Sequence, residues 1–205
     1  VRINLKVAAV IGIEFDFDLL LAVTGADEDE LLDQLDDAIK EDVVEEVKGS
    51  GGEVFRFRQN MIRQVLYNGL SERRASRIHR KIAEALFDEY GHDDPEVWEL
   101  LAFHFDRGRR NLEAMKFYSL AGERALGFAA ETSKNYASRV LELVDDIGKL
   151  DVDIIRLKSD ALKLLGRSNE LTGNLDSAEE YYQQILEFGK ETSSPKTEAM
   201  GLQYM

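Results

Sequence analysis

The chain has 205 residues, 44% of them hydrophobic, which is enough to bury one large core or two small ones. It contains no cysteine, so disulfides and thiolate metal sites are excluded, and its net charge of −14 argues against attraction to DNA or an anionic membrane. Because it has two prolines, much Leu, Ala and Glu and no long apolar run, we expect a mainly helical cytoplasmic protein without a membrane span.

The first part of the chain predicts three short helices. Apolar residues on one face of 7–12 indicate a buried helix without a leading cap, from which we expect the chain to be a piece of a longer polypeptide. A second helix is predicted over 16–23, and Asp27 is predicted to cap a third. The apolar stripe of this third helix is expected to consist of Leu31, Leu32, Leu35 and Ile39.

A β-hairpin is predicted after the third helix, because the segments 43–47 and 53–58 are rich in strand-forming residues. The glycines of 49–52 permit the positive φ of the connecting turn. Three helices and a hairpin are typical of a winged helix, which we assign to residues 1–70. Winged helices often read DNA through the third helix, but this one carries mostly carboxylates, which phosphates repel. The pattern favours a structural relay between domains over a nucleic-acid partner.

Basic residues concentrate in the region that follows the hairpin. A helix after residue 59 is predicted to turn four apolar side chains inward, namely Met61, Ile62, Val65 and Leu66. Ser71 is predicted to cap the next helix, and we assign residues 71–94 to this connecting helix. Its arginines are the candidate partner-binding residues: Arg73, Arg74, Arg77 and Arg80. Two interpretations stay open, because the basic helix could pair with the acidic third helix or form an interface for a neighbouring domain or a phosphate.

Four segments between Val7 and Leu143 form an ordered series. They are Ala8-Ala9-Val10-Ile11-Gly12 with Glu14-Phe15-Asp16, the run from Phe55 to Leu70, Ser71-Glu72-Arg73-Arg74 continuing to Leu86, and Ala121-Gly122-Glu123-Arg124-Ala125-Leu126. This series resembles the region after the nucleotide-binding core in STAND-type signalling ATPases. Members of that family are attached to adenylate or guanylate cyclases, to protein kinases and to LuxR-type regulators.

The resemblance implies that the winged helix packs on a nucleotide-binding core. In such ATPases a histidine at the start of the helix after the wing approaches the phosphates of ADP. The matching position is Gln59, which can donate a hydrogen bond but cannot become cationic, and Arg58 is the adjacent candidate for nucleotide binding. The chain contains no G-x-x-x-x-G-K-[ST] motif, so we expect the ATPase core N-terminal to Val1, and no enzymatic activity or cofactor in the chain itself.

From residue 95 onward the sequence matches the 34-residue tetratricopeptide pattern, in which small residues recur where two helices cross closely. One match is Trp98-x2-Leu101-Ala102-x2-Phe105 with Ala114-x3-Tyr118-x2-Ala121, and the other is Leu162-x2-Leu165-Gly166-x2-Asn169 with Ala178-x3-Tyr182-x2-Ile185. Ala114 and Ala178 are 64 residues apart, short of two periods, so the unit over about 127–147 is predicted to be irregular. We assign 95–205 to an α-α superhelix of such repeats, cut short at the C-terminus, that binds a protein or peptide.

Seven aromatic residues of this region recur at helical spacing and are predicted to be core residues: Phe103, Phe105, Phe117, Tyr118, Tyr136, Tyr181 and Tyr182. Catalytic patterns are weak, because the three histidines are scattered and Glu14, Asp16 and Asp18 are interpreted as capping and solvated residues. Three functions stay open. They are a regulatory region of a STAND-like signalling ATPase, a stand-alone repeat adaptor, and a DNA-binding transcriptional regulator.

Overall fold

The structure is a computed structural model, and it describes residues 2–49, 51 and 53–204. The fold is mainly helical, with one small antiparallel sheet of three strands, which confirms the predicted mainly α class. The chain divides into two compact units. The first comprises residues 1–91 and 107–109, and the second comprises residues 92–106 and 110–205.

The first unit combines helices with the sheet. Its elements are α1 (Arg2–Ile11), β1 (Glu14–Asp16), α2 (Phe17–Thr24), α3 (Glu28–Lys40), β2 (Val44–Glu46), β3 (Val54–Phe57), α4 (Asn60–Asn68) and α5 (Glu72–Tyr90). The strand order is β1-β3-β2, with Phe15 opposite Phe55 and Val44 opposite Phe57. Strand β1 was not predicted, since three residues are too few to show an alternating pattern.

Several local signals in this unit are confirmed, whereas Ser71 occupies the N-cap position of α5 without a capping side-chain hydrogen bond. The side chain of Asp16 accepts a hydrogen bond from Leu19 N at 3.0 Å, and that of Asp27 accepts one from Glu30 N at 3.1 Å, so both aspartates cap the helices that follow them. In the hairpin turn Gly49 and Gly51 have φ of 89° and 68°, as expected. The other two residues of that turn, 50 and 52, lie outside the described residues.

The core of the first unit forms where the helices cover one face of the sheet. Phe15 is central to it, with its ring centroid 6.0 Å from that of Phe55 and 5.5 Å from that of Phe57. Leu31 and Leu35 of α3 are also buried, as predicted, but Leu32 is 41% exposed and does not belong to the stripe. A one-residue step turns a side chain by about 100° around a helix, which carries Leu32 away from its buried neighbours.

Helix α4 differs more strongly from its prediction. Met61 is 71% exposed and Val65 is 67% exposed, so the expectation that both point inward is wrong. Ile62 and Leu66 are half-buried, on the side where α4 contacts α1 and β3. The apolar residues of this nine-residue helix cover two sides, and the sequence pattern does not show which side is packed.

The second unit is a stack of helices joined by short loops. Its helices are α6 (Trp98–Arg107), α7 (Asn111–Ala125), α8 (Ala130–Ile147), α9 (Val152–Leu171), α10 (Leu175–Glu191) and α11 (Pro195–Tyr204), of which Arg107 alone is assigned to the first unit. Consecutive helices from α7 to α11 pack against each other, and α7 also contacts α9. Because connections of a few residues favour antiparallel neighbours, the chain folds back at each loop.

Small residues lie where these helices come closest. A Cβ atom added to Gly166 would lie 2.2 Å from the Tyr182 ring, and one added to Gly201 would lie 2.7 Å from Leu186 Cα. Ala114 and Ala178 are buried, with exposed fractions of 0% and 2%. The structure therefore confirms close helix crossings at Gly166, where the sequence pattern placed a small residue.

The irregular unit predicted at about 127–147 is a single helix, α8, rather than a hairpin. Ala114 lies on α7 and Ala178 lies on α10, so three helix steps separate them, where two periods would need four. Helices α8 and α9 have 18 and 20 residues, whereas α6 and α7 have 10 and 15. The 64-residue separation is therefore filled by fewer, longer helices.

Most of the predicted aromatic core is found. Phe105, Phe117, Tyr118 and Tyr182 are buried, and Tyr136 and Tyr181 are half-buried. Phe103 is 41% exposed, so its assignment to the core is wrong. The inner side of α6 is occupied instead by the fully buried His104.

Candidate functional site

The predicted nucleotide-side residues lie in the short link between β3 and α4. Arg58 Nε is 3.4 Å from Asp42 Oδ1 and 3.7 Å from Glu45 Oε2, so two carboxylates of its own unit partly neutralise its charge. Gln59 occupies the N-cap position of α4, is exposed, and makes no side-chain hydrogen bond to any described residue. Of the two candidates, Gln59 is the one whose hydrogen-bonding groups remain open to a partner.

Helix α4 is anchored on one side and exposed on the other. Arg63 Nη1 donates a hydrogen bond to Ala9 O at 3.2 Å, and the Tyr67 hydroxyl lies 3.1 Å from His79 Nε2. The opposite side carries Met61 and Val65, one turn apart and largely in solvent. We call the surface formed by Met61 and Val65 the α4 face. It is an exposed apolar surface on the helix that follows Gln59.

His79 supports α4 through a hydrogen bond to Tyr67. It is 1% exposed, and burial, together with the nearby positive charge of Arg107, lowers its pKa to about 4. The imidazole is therefore neutral at pH 7 and serves as the hydrogen-bonding partner of Tyr67. Its role was not visible in the sequence, since nothing in the spacing of Tyr67 and His79 distinguishes them from other helical pairs.

The predicted partner-binding arginines of α5 fall into two groups. Arg80 is half-buried and donates to Gly108 O from Nη2 at 3.0 Å and from Nε at 3.3 Å, so it has a structural role in the first unit. The remaining three are exposed and make no side-chain hydrogen bond or ion pair with the described residues, namely Arg73, Arg74 and Arg77.

The interpretation that α5 pairs with the acidic α3 is wrong. No ion pair joins the two helices among residues 2–49, 51 and 53–204, and Asp37 of α3 pairs instead with Lys40 at 3.1 Å. Helix α3 packs on β2, whereas α5 packs on α1 and α2, so their charged sides face different surroundings. The other interpretation, a basic interface for another group, therefore stays open for Arg74 and Arg77, which also line a cavity.

In the second unit a charged network joins three helices. Arg139 of α8 donates to Asp106 of α6 twice, from Nε to Oδ2 and from Nη2 to Oδ1, each at 2.8 Å. The Tyr118 hydroxyl of α7 donates to Asp106 Oδ2 at 3.2 Å. Asp106 is only 12% exposed at its side chain, and its hydrogen bonds strongly raise the pKa of Arg139. The network joins α6, α7 and α8 through one carboxylate.

The described part of the chain shows neither a cluster of metal ligands nor a membrane-spanning helix. It contains no group of three or more His, Asp or Glu side chains that could hold a metal ion. None of its helices is both long and apolar enough to cross a membrane.

Comparisons of the chain with protein-family models, with curated proteins and with solved structures found no match.

Proposed function

We propose that this chain is a non-catalytic regulatory and protein-interaction region of a larger signalling ATPase. In this proposal it relays the binding of a partner to a nucleotide-binding core that precedes it. The observation that carries the proposal is the α4 face. Two large apolar side chains, Met61 and Val65, are held in solvent on the helix that begins directly after Gln59, the position that the resemblance places next to the nucleotide.

The element order of the first unit supports a winged-helix arrangement. A helix, a strand, two helices and two further strands follow each other, and the strands pair in the order β1-β3-β2. The hairpin of β2 and β3 would be the wing, and two residues separate the end of β3 from the start of α4. The α4 face is thus the part of the unit that a nucleotide-binding core would cover.

The second unit would supply the partner-binding part of the relay. The small residues of both tetratricopeptide-like matches are buried, including Ala102 at 0%, Ala114 at 0% and Ala178 at 2% exposure. Helices that bury these positions against each other leave the remaining sides for a protein or peptide. Several exposed apolar residues of the stack could make such contacts: Leu171, Leu175 and Leu202.

The first test is the coding sequence upstream of Val1. A phosphate-binding loop G-x-x-x-x-G-K-[ST] followed by an acidic Walker B strand would support the proposal, and a reading frame without them would refute it in favour of a stand-alone adaptor. The second test uses the protein encoded by the whole reading frame, whose ATP turnover is measured with and without the substitution Met61→Glu.

Met61→Glu places a charge in the surface that the core would cover, so we expect ATP turnover to change by up to about thirtyfold, since burying a methionine contributes about 2 kcal/mol and about 1.4 kcal/mol is tenfold. The matched control is Leu202→Glu, which changes a residue of similar exposure, 62%, in the second unit. Equal turnover in the parent protein and both variants would contradict docking through the α4 face.

A further inference from the structure

A cationic cavity lies between α1 and α5 of the first unit. Its volume is about 260 Å³, and its lining residues are Asn4, Lys6, Val7, Val23, Thr24, Leu70, Arg74, Arg77, Ile78 and Lys81. Four of these are cationic and none is acidic. We call it the α1–α5 cavity. In a chain with 40 acidic and 26 basic residues, a cavity without a single carboxylate in its lining calls for a physical reason.

The lysines of the cavity are held by neutral groups. Lys6 Nζ donates to Gly69 O at 3.2 Å, and Lys81 Nζ donates to Val23 O at 3.2 Å. A carbonyl oxygen accepts the hydrogen bond without cancelling the charge. Lys81 also borders a neighbouring cavity whose lining includes four carboxylates, whereas Lys6, Arg74 and Arg77 do not line that second cavity.

The arginines are not neutralised either. Arg74 and Arg77 make no side-chain hydrogen bond or ion pair within the described part of the chain, and Glu72, the acidic residue in the first turn of α5, pairs with Arg109 instead. Arg77 is three residues from Arg74 and four from Lys81, spacings at which like charges repel along a helix. An anion between them would convert this repulsion into attraction.

We propose that the α1–α5 cavity binds a small phosphate-bearing molecule. The guanidinium groups of Arg74 and Arg77 can each donate two parallel hydrogen bonds to phosphate oxygens, and the Lys6 ammonium adds a third positive charge from the opposite helix. The buried side chains of Val7, Val23 and Ile78 give the cavity an apolar part for a small organic group. The volume admits a phosphate with such a group but not a large ligand.

The test is calorimetric titration of the 205-residue chain with pyrophosphate, inorganic phosphate and ribose 5-phosphate at low and at physiological salt. We expect saturable binding of one molecule per chain. Arg74→Ala and Arg77→Ala should each weaken the binding of pyrophosphate about tenfold or more, because each removes charge-assisted hydrogen bonds. Lys6→Met should also weaken it, since Lys6 reaches the cavity from α1. Tighter binding of ribose 5-phosphate than of inorganic phosphate would show that the cavity also contacts the organic group that carries the phosphate.

The matched control is Arg73→Ala, which removes the same charge from the same helix at a position that does not line the cavity. We expect it to change the dissociation constant less than about twofold. If Arg73→Ala weakens binding as much as Arg74→Ala, the attraction is diffuse and the proposal is wrong. It is equally wrong if none of the three anions binds saturably at millimolar concentration to a chain whose circular dichroism shows it to be folded. Neither result depends on the proposed ATPase core.

Discussion

Lowering the pH should destabilise the first unit through His79. In the folded chain burial holds the pKa of this imidazole at about 4, whereas in the unfolded chain it returns to its ordinary value of 6.5. The unfolded state therefore binds the proton first as the pH falls. The stability that depends on neutral His79 is present above about pH 6.5 and is lost progressively as the pH falls through 4.

The size of the effect follows from the difference between the two pKa values. One pKa unit corresponds to about 1.4 kcal/mol, so a fall from 6.5 to about 4 corresponds to about 3 kcal/mol in total. Between pH 7 and pH 5 the loss should be about 2 kcal/mol, because at pH 5 most unfolded molecules are protonated at this site and most folded molecules are not.

The assay is urea unfolding at pH 7, 6 and 5, followed by far-UV circular dichroism. Tryptophan fluorescence would report the second unit, since Trp98, the single tryptophan, lies there. The comparison is His79→Gln, whose amide can still bond to the Tyr67 hydroxyl but does not titrate. His92→Gln, at an exposed histidine, controls for the loss of an imidazole as such. The reasoning is refuted if the wild type and His79→Gln lose the same free energy between pH 7 and pH 5.

Three further substitutions test contacts described above. Gly166→Ala should lower the free energy of unfolding by about 1–3 kcal/mol, because its methyl group would collide with the buried Tyr182 ring; unchanged Trp98 fluorescence melting would contradict this. Asp106→Asn should cost about 1–2 kcal/mol in the same assay, because it weakens the two hydrogen bonds from a partly exposed Arg139. Met61→Glu should change the unfolding free energy by less than about 0.5 kcal/mol, because the Met61 side chain is largely in solvent. A larger loss in urea unfolding would mean that Met61 is packed.

Features encoded by neighbouring residues could be predicted from the sequence. The aspartate before α3 caps it because its carboxylate reaches an amide three residues ahead, and the turn between β2 and β3 contains glycines because its backbone needs positive φ. Gly166 indicates a helix crossing for a similar reason, since only a residue without a Cβ atom fits against the Tyr182 ring. In each case the type of residue at one position is enough to predict the local backbone geometry there.

Features that depend on distant partners could not be predicted. Strand β1 exists because β3 pairs with it, and three residues carry too little pattern to show this. The bond between Asp106 and Arg139 joins residues 33 positions apart, and no spacing rule singles out that pair among the many charges. Met61 and Val65 are apolar residues of the kind that usually lie on the buried side of a helix. Their exposure depends on where α1 and β3 pack against α4. The α1–α5 cavity likewise requires two helices to meet.

For the partner binding proposed above, the single helix α8 determines which helices of the stack a ligand would meet. Helices that pack consecutively and fold back at each loop alternate between two layers, and the direct bond from α6 to α8 and the contact of α7 with α9 agree with this alternation. With an odd number of steps between them, the leading helices of the two motifs, α6 and α9, face opposite sides of the molecule. A ligand lying along one side would meet the first helix of one motif and the second helix of the other. Such a surface has no internal repetition, and we expect it to select an asymmetric segment of a partner over a repeated one.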